Sequence, residues 1–186
     1  MRRFINNIIS VLISFFRFLF YKLCFGKSVK FYYIQRISPN VLLDFNKNCS
    51  VTFGKKVRIH SGTKVKVIKN GRLEIQDNVK INYNCIIACM DEICIGSGTE
   101  IGPAVFVYDH DHDYKKGLFT NSDAEEFKTS PVIIGRNCWI GAQTVILKGT
   151  KIGDNCVIGA GSLVCGNIPA NSVIYQKREY SIKPIL

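Results

Sequence analysis

Several residue types and motifs are scarce or absent in this 186-residue chain. It has three histidines, one tryptophan and no CxxC pair, and its eight cysteines stand singly. The isolated cysteines argue against a disulfide framework, and we expect buried, unpaired thiols in a reducing compartment. The shortage of histidine leaves few candidates for acid–base or metal chemistry, so each histidine carries weight.

Acidic residues are absent from residues 1 to 43, which hold seven Lys or Arg. The rest of the chain carries 18 basic and 14 acidic residues, so the net charge of +11 belongs to the N-terminal segment. No groove-reading motif and no aromatic-basic RNA signature accompanies this charge, and nucleic acid is not predicted as a partner. A membrane surface fits the segment better.

Residues 2 to 25 are strongly apolar, and a secretory signal peptide would need small residues after the apolar run, which are missing. A membrane-spanning helix would place Arg17 near its middle, which is costly. The polar residues recur at helical spacing and form one stripe: Asn7, Ser10, Ser14, Arg17 and Tyr21. This pattern predicts an amphipathic helix over residues 1–27, lying in the interface of an anionic membrane. The alternative is a helix packed on the rest of the chain or in an oligomer.

An aliphatic residue returns every sixth position along the second half of the chain, at Ile134, Ile140, Ile146, Ile152, Ile158 and Val164. Glycine follows it at positions 135, 141, 153 and 159. No helix has this period, whereas hexapeptide repeats are typical of a parallel β-helix, in which three hexads form one triangular coil. The fold prediction is therefore all-β.

The same period divides the chain into regions. It begins near Val51 and, with shifts at corners, reaches residue 175, so the β-helix is predicted over residues 51–175. Residues 28–50 are predicted to be an extended segment that caps the open end of the solenoid. Residues 109–131 lack the pattern and predict a long functional loop. Residues 176–186 form a tail.

The run Ile140-Gly-Ala, followed by Ile152-Gly-Asp-Asn-Cys-Val-Ile-Gly-Ala-Gly-Ser-Leu-Val, resembles the left-handed β-helix acyltransferases. The branch it resembles most contains the galactoside, maltose and polysaccharide O-acetyltransferases. The resemblance covers roughly residues 50 to 175 and implies a left-handed solenoid, acetyl-CoA as cosubstrate and a homotrimer with active sites between subunits.

The resemblance also implies a general base nine residues after the proline of an Ile-Gly-Pro corner, and counting from Pro103 gives His112. His110 stands two residues earlier in the same Asp109-His-Asp-His pattern, with Asp109 expected at the acceptor. Independently of the family, proton removal from a sugar hydroxyl suits an imidazole. Two histidines at i and i+2 could instead bind a metal, as in the β-helix zinc hydratases.

Further site residues are implied by the same resemblance. Asn82 matches an active-site asparagine, with Tyr83 and Asn84 beside it, although an asparagine in a corner turn is an equal alternative. Trp139 is expected to border the acceptor cleft of a neighbouring subunit, or to fill the trimer interface.

Small residues are expected to let coenzyme A approach the backbone, although they equally serve corners: Gly141, Ala142, Gly159, Ala160 and nearby Cys165. Candidates for the nucleotide phosphates are Lys148, Lys177, Arg178 and Lys183. The family usually ends in a Gly-x-Pro-Ala-Lys turn that this chain lacks, which leaves the phosphate contacts open.

Together these patterns predict an acetyl-CoA-dependent O-acetyltransferase, without a metal, that acts on a sugar of a surface polysaccharide or on its lipid-linked precursor. We expect it in the cytoplasm, peripheral on the inner face of the cell membrane. The open alternatives are an N-acetyltransferase of an amino sugar, a zinc hydratase and a non-catalytic solenoid.

Overall fold

The computed structural model describes residues 2–32, 34–113, 127–177, 179 and 181–184. It begins with helix α1, Arg2–Phe25, whose side chains are described from Asn7 onward. A short 3-10 turn, Gly26–Ser28, leads into the strands.

The strands follow one another in coils of three. The first four coils are β1 Val29–Phe31, β2 Arg36–Ile37, β3 Leu42–Phe45; β4 Ser50–Phe53, β5 Arg58–Ile59, β6 Lys64–Val67; β7 Arg72–Ile75, β8 Lys80–Ile81, β9 Ile86–Cys89; and β10 Glu92–Ile95, β11 Glu100–Ile101, β12 Phe106–Tyr108. A hairpin of β13 His110–His112 and β14 Phe127–Thr129 interrupts the solenoid here. The later coils are β15 Val132–Ile134, β16 Trp139–Ile140, β17 Val145–Ile146; β18 Lys151–Ile152, β19 Val157–Ile158, β20 Leu163–Val164; and β21 Asn167–Ile168, β22 Val173–Ile174.

Three parallel sheets form the sides of the triangular prism. The first sheet stacks β1-β4-β7-β10-β15-β18-β21, the second stacks β2-β5-β8-β11-β16-β19-β22, and the third stacks β3-β6-β9-β12-β17-β20. Equivalent hexad positions pair in register, as Ile101 does with Ile81 and Ile140. The repeating aliphatic side chains point inward and are buried. The predicted left-handed parallel β-helix is confirmed.

The first coil comprises β1 to β3, within the segment predicted to be an extended cap. These strands pair in parallel with β4, β5 and β6, so the solenoid starts at Val29 and not near Val51. The sequence carried the signal, because Phe31, Ile37 and Leu43 stand six residues apart. The capping role falls to helix α1.

The polar stripe of α1 faces the solenoid, where it satisfies the free edge of the first coil. Ser10 Oγ donates to the Ile37 carbonyl at 3.1 Å, and Ser14 Oγ accepts the Ile37 N–H at 3.0 Å. Arg17 donates to the Val41 carbonyl at 2.5 Å, and the Tyr21 hydroxyl donates to the Leu43 carbonyl at 2.7 Å. An edge strand has no further strand to pair with, and these side chains replace it.

Phe18 closes the open end of the hydrophobic core from the same side of the helix. Its ring is 1% exposed, stacks on Phe31 at 4.8 Å between centroids, and meets Phe53 edge-on at 5.0 Å. The helix therefore packs on the β-helix as the alternative prediction held, and its polar stripe does not face water.

The opposite side of α1 is apolar and exposed. Its exposed side chains are Ile8, Ile9, Leu12, Ile13, Phe16, Leu19, Phe20 and Leu23. Residues Asn7–Ser28 are long and apolar enough to cross a membrane by length and composition, with a mean hydropathy of 1.9.

Candidate active site

The candidate site lies at the corner between the third and first sheets, where β12 ends and the chain leaves the solenoid. β13 and β14 pair antiparallel, with His110 opposite Thr129 and His112 opposite Phe127. Residues 114–126 of the predicted loop lie outside the described residues. The hairpin therefore holds both histidines on a regular strand at the margin of a rigid coil.

Asp109 is the buried residue on which this corner is built. Its carboxylate is fully buried and accepts the N–H groups of Met90 (2.9 Å) and Asp91 (2.8 Å) from the preceding coil. Burial by itself raises the pKa of Asp109, but hydrogen bonds from His110 and from these two amides outweigh burial and hold the pKa below its ordinary value. Asp109 is therefore a fixed, ionised carboxylate.

His110 receives its orientation from that carboxylate. Its Nδ1 lies 2.8 Å from Asp109 Oδ1, and its side chain is 13% exposed. An ionised carboxylate can only accept, so Nδ1 carries the proton, and in the neutral ring Nε2 keeps its lone pair. This arrangement of a carboxylate behind an imidazole is the one that prepares a general base.

His112 lies on the same face of β13 but in different surroundings. It is exposed, and its ring lies 4.7 Å from the ring of Phe127, which also meets His110 edge-on at 5.5 Å. Lys69, which follows β6 of the second coil, places its Nζ over the Phe127 ring, 4.6 Å from the ring centroid. Phe127 thus fixes the positions of both imidazoles relative to each other.

The acidic residues that alternate with the histidines form ion pairs. Asp111 pairs with Lys148 of the next coil at 3.3 Å, and Asp113 pairs with Lys128 of β14 at 2.9 Å. Lys148, a predicted phosphate ligand, therefore stands at the histidine corner and is engaged with Asp111. Cys165, exposed, occupies the same corner one coil further along.

Another group of predicted residues lies at the corner between the second and third sheets. Asn82, Tyr83 and Asn84 follow β8 there, so one chain does not bring them together with the histidines. Asn84 has a φ of 57°, which its corner turn requires, and Tyr83 packs on His60 at 4.6 Å between ring centroids. Trp139 projects from the outer face of the second sheet and is 60% exposed.

The small residues predicted to contact coenzyme A lie at this second corner too. Gly141 has a reason of its own, because a Cβ there would come within 2.5 Å of the Ala160 amide nitrogen. Ala142 and Ala160 are partly or fully exposed, so their backbone can be approached from outside. Coil stacking is enough to explain Gly141, and the contact of these small residues with coenzyme A stays a prediction.

The predicted phosphate ligands of the tail lie apart from both corners of candidate residues. Lys177 and Lys183 are exposed beyond the last strand, and Arg178 lies outside the described residues. Among the residues that the structure describes, no group of three or more His, Cys, Asp or Glu could hold a metal ion.

The sequence pattern selected both histidines and Asp109 as candidates but did not single out Phe127. Asp109 was predicted at the acceptor, whereas its carboxylate is buried against backbone amides. Only its place next to a histidine hinted at this. No sequence signal pointed to Phe127, because its pairing with His112 depends on closing the 14-residue segment between them.

Comparison with known proteins agrees with this fold. Residues 131–166 match the family described as bacterial transferase hexapeptide (six repeats). WbbJ of Escherichia coli, whose assignment as a lipopolysaccharide biosynthesis O-acetyl transferase is provisional, is 34% identical over 135 residues, 67% of each chain. The galactoside O-acetyltransferase of Escherichia coli is 39% identical over 101 residues, which are 54% of this chain and 48% of that protein.

The chain therefore belongs to the hexapeptide-repeat acyltransferases, in the branch that contains the O-acetyltransferases.

Solved structures support the same fold. AntD, an N-acyltransferase from Bacillus cereus, superposes with a TM-score of 0.67 at 17% identity, covering 83% of this chain and 82% of that one. A hexapeptide-repeat acetyltransferase of Vibrio cholerae in complex with acetyl coenzyme A gives a TM-score of 0.55 at 26% identity, covering 65% of this chain and 63% of its own.

Proposed function

We propose that the protein transfers an acetyl group from acetyl-CoA to a sugar hydroxyl of a surface polysaccharide, such as a capsule or O-antigen, or of its lipid-linked precursor. The observation that carries the proposal is the hydrogen bond between buried, ionised Asp109 and His110 Nδ1. It prepares Nε2 to accept a proton, on a side chain that is 13% exposed and lies in the first strand of the hairpin. The relatives assigned to lipopolysaccharide and colanic acid biosynthesis support a polysaccharide acceptor.

His110 is the general base that this geometry favours. Its Nε2 would take the proton of the acceptor hydroxyl as that oxygen attacks the thioester carbonyl. When the carbon–sulfur bond breaks, the imidazolium would return the proton to the thiolate of coenzyme A, so no protein nucleophile is needed. The count from Pro103 favours His112 instead, and that assignment stays a prediction. His112 and Phe127 then line the acceptor side of the base.

Coenzyme A as the carrier is supported by the acetyl-CoA complex of the Vibrio cholerae relative and by the exposed backbone around Ala142 and Ala160. Acetyl-CoA supplies an activated thioester carbonyl. Backbone N–H groups of the corner would stabilise the oxyanion that forms on it, a contribution often worth about 3 kcal/mol per donor.

We further propose that three copies of the chain share the sites. The two groups of candidate residues stand at different corners of one solenoid, so they can meet only if another copy lies alongside. The outer face of the third sheet suits such contact because its later coils are apolar: Ile86, Phe106, Val145 and Leu163. The outer face of the first sheet carries Arg72, Glu74 and Glu92 instead.

Two measurements test this function. Mass spectrometry of surface glycan from cells with and without the gene should reveal the loss of one acetyl group per repeat when the gene is absent. Purified protein should release coenzyme A from acetyl-CoA faster when an oligosaccharide acceptor is added. An unchanged glycan together with no acceptor-dependent release would contradict the proposal.

An N-acetyltransferase remains the second outcome of the same assay, since one base serves either nucleophile. Acceptors matched except for a hydroxyl or an amino group at one carbon separate the two. Acetylation of the amino sugar alone would move the substrate class from hydroxyl to amine and leave the base assignment standing.

A further inference from the structure

The docked helix α1 leaves a surface that acyl transfer does not use. Among the side chains of α1 that the structure describes, eight large apolar ones form its outward side, including Phe16 at 65% and Leu23 at 79% exposure. Single exposed apolar residues are ordinary on a protein surface, whereas a continuous helix face of them marks an interaction site. The polar residues of the helix cannot turn to cover this face, because their hydrogen bonds to the first coil hold them on the opposite side.

The direction of the helix follows from those bonds. Ser10, Ser14, Arg17 and Tyr21 span about 16 Å of helix at 1.5 Å per residue, and all four bond to the backbone of one coil. The helix axis therefore runs across the end of the solenoid and not along it. The exposed apolar face is directed away from the solenoid. The surface that it forms is parallel to the plane of the first coil.

The charges around this face determine which partner it fits. Residues 1–43 contain seven Lys or Arg and no acidic residue, and Lys22, Lys27 and Lys30 are exposed around the end of the helix. Aliphatic and aromatic side chains with a basic border suit the headgroup region of an anionic bilayer. A hydrophobic protein partner would not by itself call for the basic border.

We propose that helix α1 lies flat on an anionic lipid bilayer and holds the solenoid upright on it, with the solenoid axis along the membrane normal. A bilayer-spanning arrangement would require Arg17 and Tyr21 to leave the first coil, uncovering Phe53 and the carbonyls of its edge strands. The coil that carries His110 lies three coils beyond the first coil, on which the helix is docked, about 14 Å along the solenoid axis at roughly 4.8 Å per coil. The catalytic corner is thereby held at a fixed height above the lipid surface, within reach of a lipid-linked glycan.

Vesicle co-sedimentation of the full-length protein tests the contact. Wild-type protein should sediment with vesicles that contain phosphatidylglycerol, and binding should weaken severalfold at high salt without disappearing, since apolar burial is not screened. The Phe16→Glu, Leu23→Glu double variant should lose at least tenfold in binding. The matched control, Val173→Glu with Ile182→Glu, adds the same charge at exposed apolar positions near the other end of the solenoid and should bind as wild type.

Fluorescent labels on the two most exposed thiols test the orientation. Cys24 lies on the helix and Cys165 lies in the sixth coil, both exposed. A label on Cys24 should be quenched by spin-labelled lipid, and a label on Cys165 should not, each in a variant with the other thiol replaced by serine. Equal quenching of both would overturn the upright orientation.

Three results would overturn the proposal as a whole. The first is that the wild-type protein does not bind vesicles. The second is that the protein stays in the membrane after alkaline carbonate extraction, which marks a spanning helix. The third is that trimers associate without vesicles and that Phe16→Glu abolishes this association. A circular dichroism melt of the double variant checks folding, and Phe16→Ser with Leu23→Ser replaces it if the charges unfold the helix.

Discussion

Asp109 is the residue whose chemistry the fold changes most. In solution a carboxylate beside a histidine is an ordinary exposed pair, whereas here the amides of Met90 and Asp91 and the ring of His110 surround it. Because its carboxylate is fully buried, we propose that Asp109 positions the imidazole.

Replacing Asp109 with Asn tests this positioning role. The amide keeps the size and can still accept a backbone N–H, but its NH2 group would donate to His110 Nδ1 and move the ring proton to Nε2. We expect kcat to fall at least about 10²-fold, the scale of general-base catalysis, with little change in KM for acetyl-CoA.

The control is Asp111→Asn, which alters an exposed carboxylate two residues away. It should keep kcat within about threefold of wild type. Equal losses in the two variants would mean that Asp109 supports the hairpin and not the base.

The two histidines are distinguished by single substitutions. His110→Ala should abolish transfer, whereas His112→Ala should mainly raise KM for the acceptor, because only His110 is paired with Asp109. Steady-state kinetics of both variants gives the answer. The reverse pattern would restore His112, which the spacing from Pro103 favours, as the base.

Acid lability is expected from the same carboxylate. The pKa of Asp109 is lower in the folded protein than its ordinary value of 3.8. The ionised form therefore contributes fully to stability above that value, and the contribution is lost as the pH falls through the folded-state pKa. At neutral pH, Asp109→Asn should lower the free energy of unfolding by about 2 kcal/mol. Urea unfolding at several pH values should show this difference shrinking below about pH 4, and a constant difference would contradict the assignment.

Helix α1 shows at the scale of an element how a solenoid ends. The first coil has backbone groups that no further strand pairs with, and the helix supplies hydroxyl and guanidinium groups to bond them. The first coil also leaves the end of the core open, and Phe18 covers it. The amphipathic pattern alone does not decide whether the polar stripe faces water or the protein, because water and the edge of a strand can both satisfy its hydrogen bonds.

Phe18→Ala should destabilise the protein by about 3–5 kcal/mol, because it leaves a cavity between Phe31 and Phe53. Phe16→Ala removes the same side chain from the exposed face and should change stability by less than about 0.5 kcal/mol. Thermal or urea unfolding of the pair, measured without lipid, checks the direction of the helix. Similar losses in both would mean that the helix is rotated.

At the scale of the whole molecule, the division of candidate residues between two corners leads us to expect that activity depends on assembly. Phe106→Glu introduces a charge into the apolar outer face of the third sheet and should shift the sedimenting mass from about three chains toward a single chain of 21.0 kDa. Transfer activity should fall with the trimer fraction. Lys151→Glu, exposed on the first sheet, is the control and should remain assembled.

A monomeric and fully active Phe106→Glu variant would contradict the shared site, and a Phe106→Glu variant that stays assembled would contradict the choice of this face.

The sequence by itself determined the coils, since a buried aliphatic residue every sixth position is a local requirement of each hexad. The first coil, which was not predicted, shows the same six-residue spacing at Phe31, Ile37 and Leu43. It also limited the base to two histidines. Tertiary structure decided which partners the polar groups found: Asp109 with His110, and the stripe of α1 with the edge of the first coil. These pairings join residues whose neighbourhood depends on coil stacking and on the hairpin, and a polar group can be satisfied in more ways than an apolar one can be buried.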